Sequence, residues 1–261
     1  MAEWTGAHRP DEMLARNARR SLFIDAAAAT LAVGVVLLAS MYFFGDRLGL
    51  DTPAISTAFA IYAAISAVSL GNLEAHGHSR FGFANVITTI RGAVTAVLGG
   101  LLLASSGFGH HPETLYLTGV VVSIVLGLDG IDGYFARRGR TVSPFGARFD
   151  MEIDALLIFF LSLAAFLLDK AGAWVLLIGL MRYGYVGAQV LLPGLRGDLP
   201  PSTRRQAICV VQGITLCLLL FPVVAPPVSG LLAAGALGAL TYSFGVDVAF
   251  LLNRNGRGHA G

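Results

Sequence analysis

Eight apolar runs, each about as long as a bilayer is thick, limit what this chain can fold into. A helix rises about 1.5 Å per residue, so a hydrocarbon core of about 30 Å calls for about 20 apolar residues. The runs at approximately 22–44, 54–72, 84–106, 114–136, 145–168, 172–192, 204–222 and 229–252 meet that length and are separated by polar or Gly/Pro-rich breaks. The expectation is an all-α polytopic membrane protein with about eight transmembrane helices. Charged residues form only 13% of the chain, against about 25% in a soluble domain, and no soluble domain is left over.

Arginines fall in alternate connections. Arg9, Arg16, Arg19 and Arg20 precede the first run, Arg80 follows the second, and Arg137, Arg138 and Arg140 follow the fourth. Arg196, Arg204 and Arg205 follow the sixth, and Arg254 and Arg257 the eighth, whereas the other connections hold only Arg47 and Lys170. The positive-inside rule then places both termini on the cytoplasmic side of an integral membrane protein. The polar residues 1–20 read as a short cytoplasmic tail with no small-residue cleavage signal. A formal charge of +2 gives no argument for a nucleic-acid partner. Cys209 and Cys217 lie about 12 Å apart on a straight helix, too far for a mutual disulfide, and read as buried small side chains.

One stretch does not fit an apolar membrane segment. Between the fourth and fifth runs the chain reads DGIDGYFARRGRTVSPFGARFDMEID, from Asp129 to Asp154, on the cytoplasmic side. Intramembrane carboxylates are costly and mark function. Ser143-Pro144 suits a helix N-cap followed by proline in the first turn, and Gly139 to Val142 a tight turn. The result is a helix hairpin with Asp129 and Asp132 one turn apart on one arm, and Asp150 and Asp154 one turn apart on the other. Four carboxylates converging at low dielectric repel one another unless a cation compensates them. An all-oxygen set without histidine or cysteine selects Mg²⁺ or Mn²⁺, and Mg²⁺ is usually shared with substrate phosphates. Gly133, Ala136 and Gly146 leave room beside such metals, and Arg137 adds a fixed positive charge. A carboxylate countering a helix dipole would account for Asp150 but not for the other three, and an EF-hand would need a glutamate where Arg140 stands.

The residues Asp129, Asp132, Gly133, Ala136, Arg137, Gly146, Asp150 and Asp154 match every fixed position of Asp-x2-Asp-Gly-x2-Ala-Arg-x8-Gly-x3-Asp-x3-Asp. In this the chain resembles the CDP-alcohol phosphotransferase family. Asn85, Thr88 and Arg91 are similar to the Asn-x2-Thr-x2-Arg opening of that family's first core helix. The resemblance implies a six-helix catalytic core over residues 81–261, with residues 1–80 holding the tail and two accessory helices. It implies a transferase that moves a phosphatidyl group from a CDP-linked lipid, such as CDP-diacylglycerol, to an acceptor alcohol and releases CMP in phospholipid biosynthesis. By the same resemblance Asp129, Asp132 and Asp150 hold one metal ion, while Asp129, Asp150 and Asp154 hold a second. Asp154 is also the general base. Gly133, Ala136, Arg137 and Gly146, with Thr88 and Arg91, serve the nucleotide. A homodimer and a bacterial plasma membrane are further implications.

For the acceptor the signals are Arg182, inside the sixth run, and Arg196, Arg204 and Arg205 in the connection after it. Guanidinium groups bind phosphate in a bidentate manner, which points to a phosphorylated polyol such as glycerol 3-phosphate, although a lipid acceptor also belongs to the family's range. Asp247, in the last run, either lines the acceptor cavity or contacts a neighbouring helix. Two other readings are an intramembrane prenyltransferase, which would want a second aspartate-rich motif downstream, and a cation- or proton-coupled transporter using the carboxylates as a relay.

Overall fold

The computed structural model describes the backbone of residues 9–73, 80–139, 143–192, 195, 197, 199–200 and 202–258, and their side chains outside 9–16, 18, 129–139 and 253–258. The described residues form eight α-helices: α1 (Arg9–Leu48), α2 (Thr52–Gly71), α3 (Phe83–Ala104), α4 (Pro112–Gly139), α5 (Pro144–Leu167), α6 (Leu176–Leu191), α7 (Thr203–Leu220) and α8 (Val228–Gly258). A 3-10 turn at Ala173–Val175 leads into α6, and no strand occurs among the described residues. Each apolar run is thus one helix. The polar stretch read as a tail is helical from Arg9.

Among the described residues six helices are, by length and composition, able to cross a membrane: Arg19–Leu48 of α1, α2, α3, Ala173–Leu191, α7 and Val228–Leu252 of α8. Of the other two, α4 is apolar over its described part, Pro112–Leu128, and α4 and α5 carry the four aspartates. Large apolar side chains face outward along the spans, among them Leu31, Val35 and Phe43 of α1 and Val210 and Ile214 of α7. A bilayer covers such surfaces at no cost.

The chain divides into two compact units, one of Met1–Ser106 with Gly127–Ile153 and the other of Gly107–Leu126 with Asp154–Gly261. In the first unit α2 packs closely on α3. A Cβ at Gly100 would meet the Ala58 Cβ at 2.7 Å, so the two backbones approach as only glycine permits. Tyr62 of α2 donates to Thr30 O of α1 at 2.8 Å. The α1–α2 corner turns on Asp51. One carboxylate oxygen caps α2 at Ala54 N (3.0 Å), and the other accepts from Ser106 N and Oγ at 3.1 Å each. These bonds favour the charged form and lower the Asp51 pKa. A depressed carboxyl pKa stabilises the fold at neutral pH and loses that contribution as pH falls below the ordinary aspartate range. Asp51→Asn is therefore expected to lower the melting temperature at pH 7 and to lower it progressively less as the pH falls below about 4, as scanning calorimetry in detergent would read.

In the second unit Lys170, buried just after α5, pins the α7–α8 connection. Its Nζ donates to Val224 O at 2.6 Å and Phe221 O at 3.2 Å, while Ser229 Oγ donates to the Lys170 carbonyl at 2.6 Å. Burial pushes the lysine pKa down, yet the carbonyl cage is built for an ammonium. Lys170→Met is expected to destabilise the protein by roughly 2–3 kcal/mol, the usual loss of charge-assisted hydrogen bonds, measured as a lower thermal midpoint. Cys217 is buried with its Sγ 3.3 Å from Ser123 Oγ, as the sequence led us to expect. Cys209 is exposed instead.

Candidate active site

The amino-terminal half of α5 sorts its residues by face. Ser143 caps the helix, its Oγ accepting from Gly146 N at 2.9 Å, and Pro144 fills the first turn. Phe145, Phe149 and Ile153 follow at four-residue spacing and enter a core with Leu22, Ala26, Leu73 and Phe81. The Phe145 and Phe149 rings stack with centroids 5.8 Å apart. The adjacent face bears Gly146 and Asp150, again one turn apart, and meets α3.

Two contacts define that meeting. Asn85 of α3 occupies the space a side chain at Gly146 would need: a Cβ there would lie 2.7 Å from Asn85 Oδ1 and 3.1 Å from Ser143 Oγ. The Asn85 amide is itself bound to Phe81 O. Two turns further along α3, Arg91 is 1% exposed and its Nη1 lies 2.5 Å from Asp150 Oδ1, whose side chain is 42% exposed. A fully buried guanidinium is tolerated only beside an anion, so Arg91 anchors Asp150 while the carboxylate stays open to incoming groups. Thr88, on the same helix and buried, donates to Ala84 O at 3.1 Å. Of the residues read as nucleotide-facing, Gly146 and Arg91 thus make the fit between α3 and α5. The part played by Asn85 was not visible in its sequence position. The only signal was its place in the same short motif as Thr88 and Arg91.

Asp129 and Asp132 lie on α4 one turn apart, 10 and 7 residues before its end at Gly139. Asp150 and Asp154 lie 6 and 10 residues after the start of α5 at Pro144. At about 1.5 Å per residue these offsets correspond to about 9–15 Å along each helix. The side chains of Asp129, Asp132, Gly133, Ala136 and Arg137, like residues 140–142 and Arg196, lie outside the described residues. Among the described side chains no group of three metal-ligating residues occurs. The donor chemistry nevertheless fits a hard divalent cation, because the set is carboxylate only, and Asp150 keeps its side chain 42% exposed beside Arg91.

The second unit gathers another group. Cys209 of α7 lies within electrostatic reach of Asp154 on α5, Arg182 on α6 and Arg205 on α7. At the start of α7, Arg204 Nη2 lies 2.5 Å and Arg205 Nη1 3.6 Å from Asp247 Oδ1 on α8. Arg204 also lies over the Tyr242 ring, 5.9 Å from its centroid. Asp247 is thus a contact between helices, one of the two roles its sequence position allowed, and its carboxylate binds two of the arginines read as acceptor-facing.

No curated protein and no solved structure matches the chain. The family model for CDP-alcohol phosphatidyltransferase matches residues 81–246, close to two-thirds of the chain and inclusive of the whole aspartate stretch. With the all-helical membrane architecture around that stretch, the chain belongs to the CDP-alcohol phosphatidyltransferase family.

Proposed function

We propose that the protein moves a phosphatidyl group from a CDP-linked lipid, such as CDP-diacylglycerol, to the hydroxyl of an acceptor alcohol in phospholipid biosynthesis. The observation that carries this reading is the family match across residues 81–246. In the reaction the acceptor oxygen bonds to the phosphorus bearing the diacylglycerol, the bond from that phosphorus to the bridging oxygen of CMP breaks, and CMP leaves. The acceptor's proton passes to Asp154, a carboxylate half-buried on α5 and suited to that transfer. The family is generally dependent on divalent metal, and Asp129, Asp132, Asp150 and Asp154 would hold two Mg²⁺ or Mn²⁺ ions. Bound there, such ions neutralise the diphosphate and the charge that develops on the leaving phosphate. Arg91 fixes Asp150 for this set, and Arg137 with Gly133, Ala136, Gly146 and Thr88 forms the nucleotide side.

Arg182, Arg196, Arg204 and Arg205 form the acceptor side, supported by the shared neighbourhood of Asp154, Arg182 and Arg205 around Cys209. Residues 81–261 act as the catalytic core and α1 and α2 as accessory helices. The site faces the cytoplasm of a plasma membrane, by the distribution of arginines, and the working unit is a homodimer. Purified protein with Mg²⁺ and CDP-diacylglycerol should release CMP once the right alcohol is added, and a panel of acceptors analysed by lipid mass spectrometry identifies it. Failure to release CMP with every alcohol would sink the reading. Arg182→Ala is expected to raise the acceptor KM about tenfold or more while moving the donor KM less than about twofold, as loss of one charge-assisted contact predicts. Equal changes in both constants would remove Arg182 from the acceptor side.

A further inference from the structure

Between the start of α7 and the Val246–Phe250 turn of α8 lies an open cleft of about 330 Å³, lined among others by Ser202, Arg204, Arg205, Val246, Asp247 and Phe250. Its size falls in the range of small-ligand sites. The described charged groups on its walls are two guanidiniums and one carboxylate. Asp247 is 8% exposed, and a single oxygen, Oδ1, meets both arginines. Arg205 is tied by a further bond to Pro200 O. Arg204 keeps a buried Nε–H without an acceptor among the described residues. Each guanidinium carries five N–H donors, and with both arginines on the wall of the site the donors not spent on Asp247 can meet one more oxyanion.

The charge of that oxyanion follows from the walls. Two arginines and Asp247 leave one net positive charge, so a singly charged group brings the cleft to neutrality. A phosphate monoester, largely dianionic at neutral pH, would carry it to a net negative value beside a buried carboxylate, where screening is weak. We infer that Asp247 is the charge-selecting residue of the acceptor site and that the acceptor presents a single negative charge, as a phosphodiester or a carboxylate, to Arg204 and Arg205. This rests on the reading of those arginines as acceptor-facing and moves the acceptor away from a phosphorylated polyol. Asp247 lies just beyond the segment that matches the family model.

Cys209, one turn after Arg205 and exposed, gives a readout that needs no turnover, with the buried Cys217 as internal control. The full-length protein in detergent would be labelled with a neutral maleimide at constant ionic strength. Labelling of Cys209 would be followed by peptide mass spectrometry with dimethyl phosphate, acetate or sulfate as protecting anion. In the wild type, dimethyl phosphate or acetate should protect at concentrations at least about threefold lower than sulfate, and the better of the two identifies the group. In Asp247→Asn the half-protecting concentration of sulfate should fall about tenfold, while those of the two monoanions fall less than threefold. Sulfate protecting the wild type as well as either monoanion would overturn the inference. So would an equal shift of all three anions in the variant, or no protection by any of them. If Asp247→Asn does not fold, the order of the three anions on the wild type decides alone. CMP release is measured separately: its absence with every alcohol sinks the transferase reading, whereas sulfate-first protection with normal CMP release sinks only the charge rule.

Discussion

Asp154→Asn is expected to lower CMP release by about 10³-fold or more while CMP still binds within about threefold of the wild type. The substitution keeps the size and most of the hydrogen-bonding capacity of the side chain but removes its ability to accept a proton, and general-base catalysis contributes about 10²–10⁴-fold. Asp154 also stands last in the set read as metal-binding, so the loss should lie at the upper end of that range. Nucleotide contacts are assigned elsewhere, to α3, the end of α4 and the first turns of α5, which is why CMP affinity should survive. Titration calorimetry with CMP and a radiolabelled donor assay read the two quantities separately. Near-normal turnover in the variant would take the role of base away from Asp154. A parallel collapse of CMP binding would make it a nucleotide-side ligand only.

Gly146→Ala is expected to cost about 100-fold in turnover with a stability loss of about 1–3 kcal/mol, the usual range for overpacking. The added methyl would stand 2.7 Å from Asn85 Oδ1, a distance real side chains do not hold. Asn85 is short, 6% exposed and bound to Phe81 O, so it has little room to retreat. The helices must then separate one turn from Asp150, and the carboxylate moves off the position that Arg91 fixes. A misplacement of about 1 Å is enough for a 10²-fold effect. Asn85→Ser in the same chain should restore a large part of the activity, because it vacates the space the methyl needs. If the double variant is as slow as Gly146→Ala, the glycine is required by the nucleotide and not by Asn85.

Membrane-crossing helices are written plainly in a sequence, since length and hydropathy alone decide them. All eight runs became helices with ends within a few residues of expectation, apart from the extensions of α1 back to Arg9 and α8 on to Gly258. Ser143 as a cap was legible for the same kind of reason: one side chain satisfies one nearby N–H. The aspartates stood out in the sequence because carboxylates are rare within apolar runs. Partnerships between helices were not. That Arg91 of α3 would find Asp150 of α5, or Arg204 of α7 find Asp247 of α8, depends on how neighbouring helices are rotated about their axes. Periodicity within one helix does not contain that rotation. Cys209 failed for a related reason: an apolar helix has a covered and an uncovered side, and composition does not say which is which.

The helix α5 is a single rod, yet the boundary between the two compact units falls between Ile153 and Asp154. Asp150, anchored by Arg91, belongs to one, and Asp154, in the company of Arg182 and Arg205, to the other. Under the proposed assignment of roles, substitutions on α3 therefore act through Asp150 on the donor side, and substitutions on α6 and α7 act through Asp154 on the acceptor side.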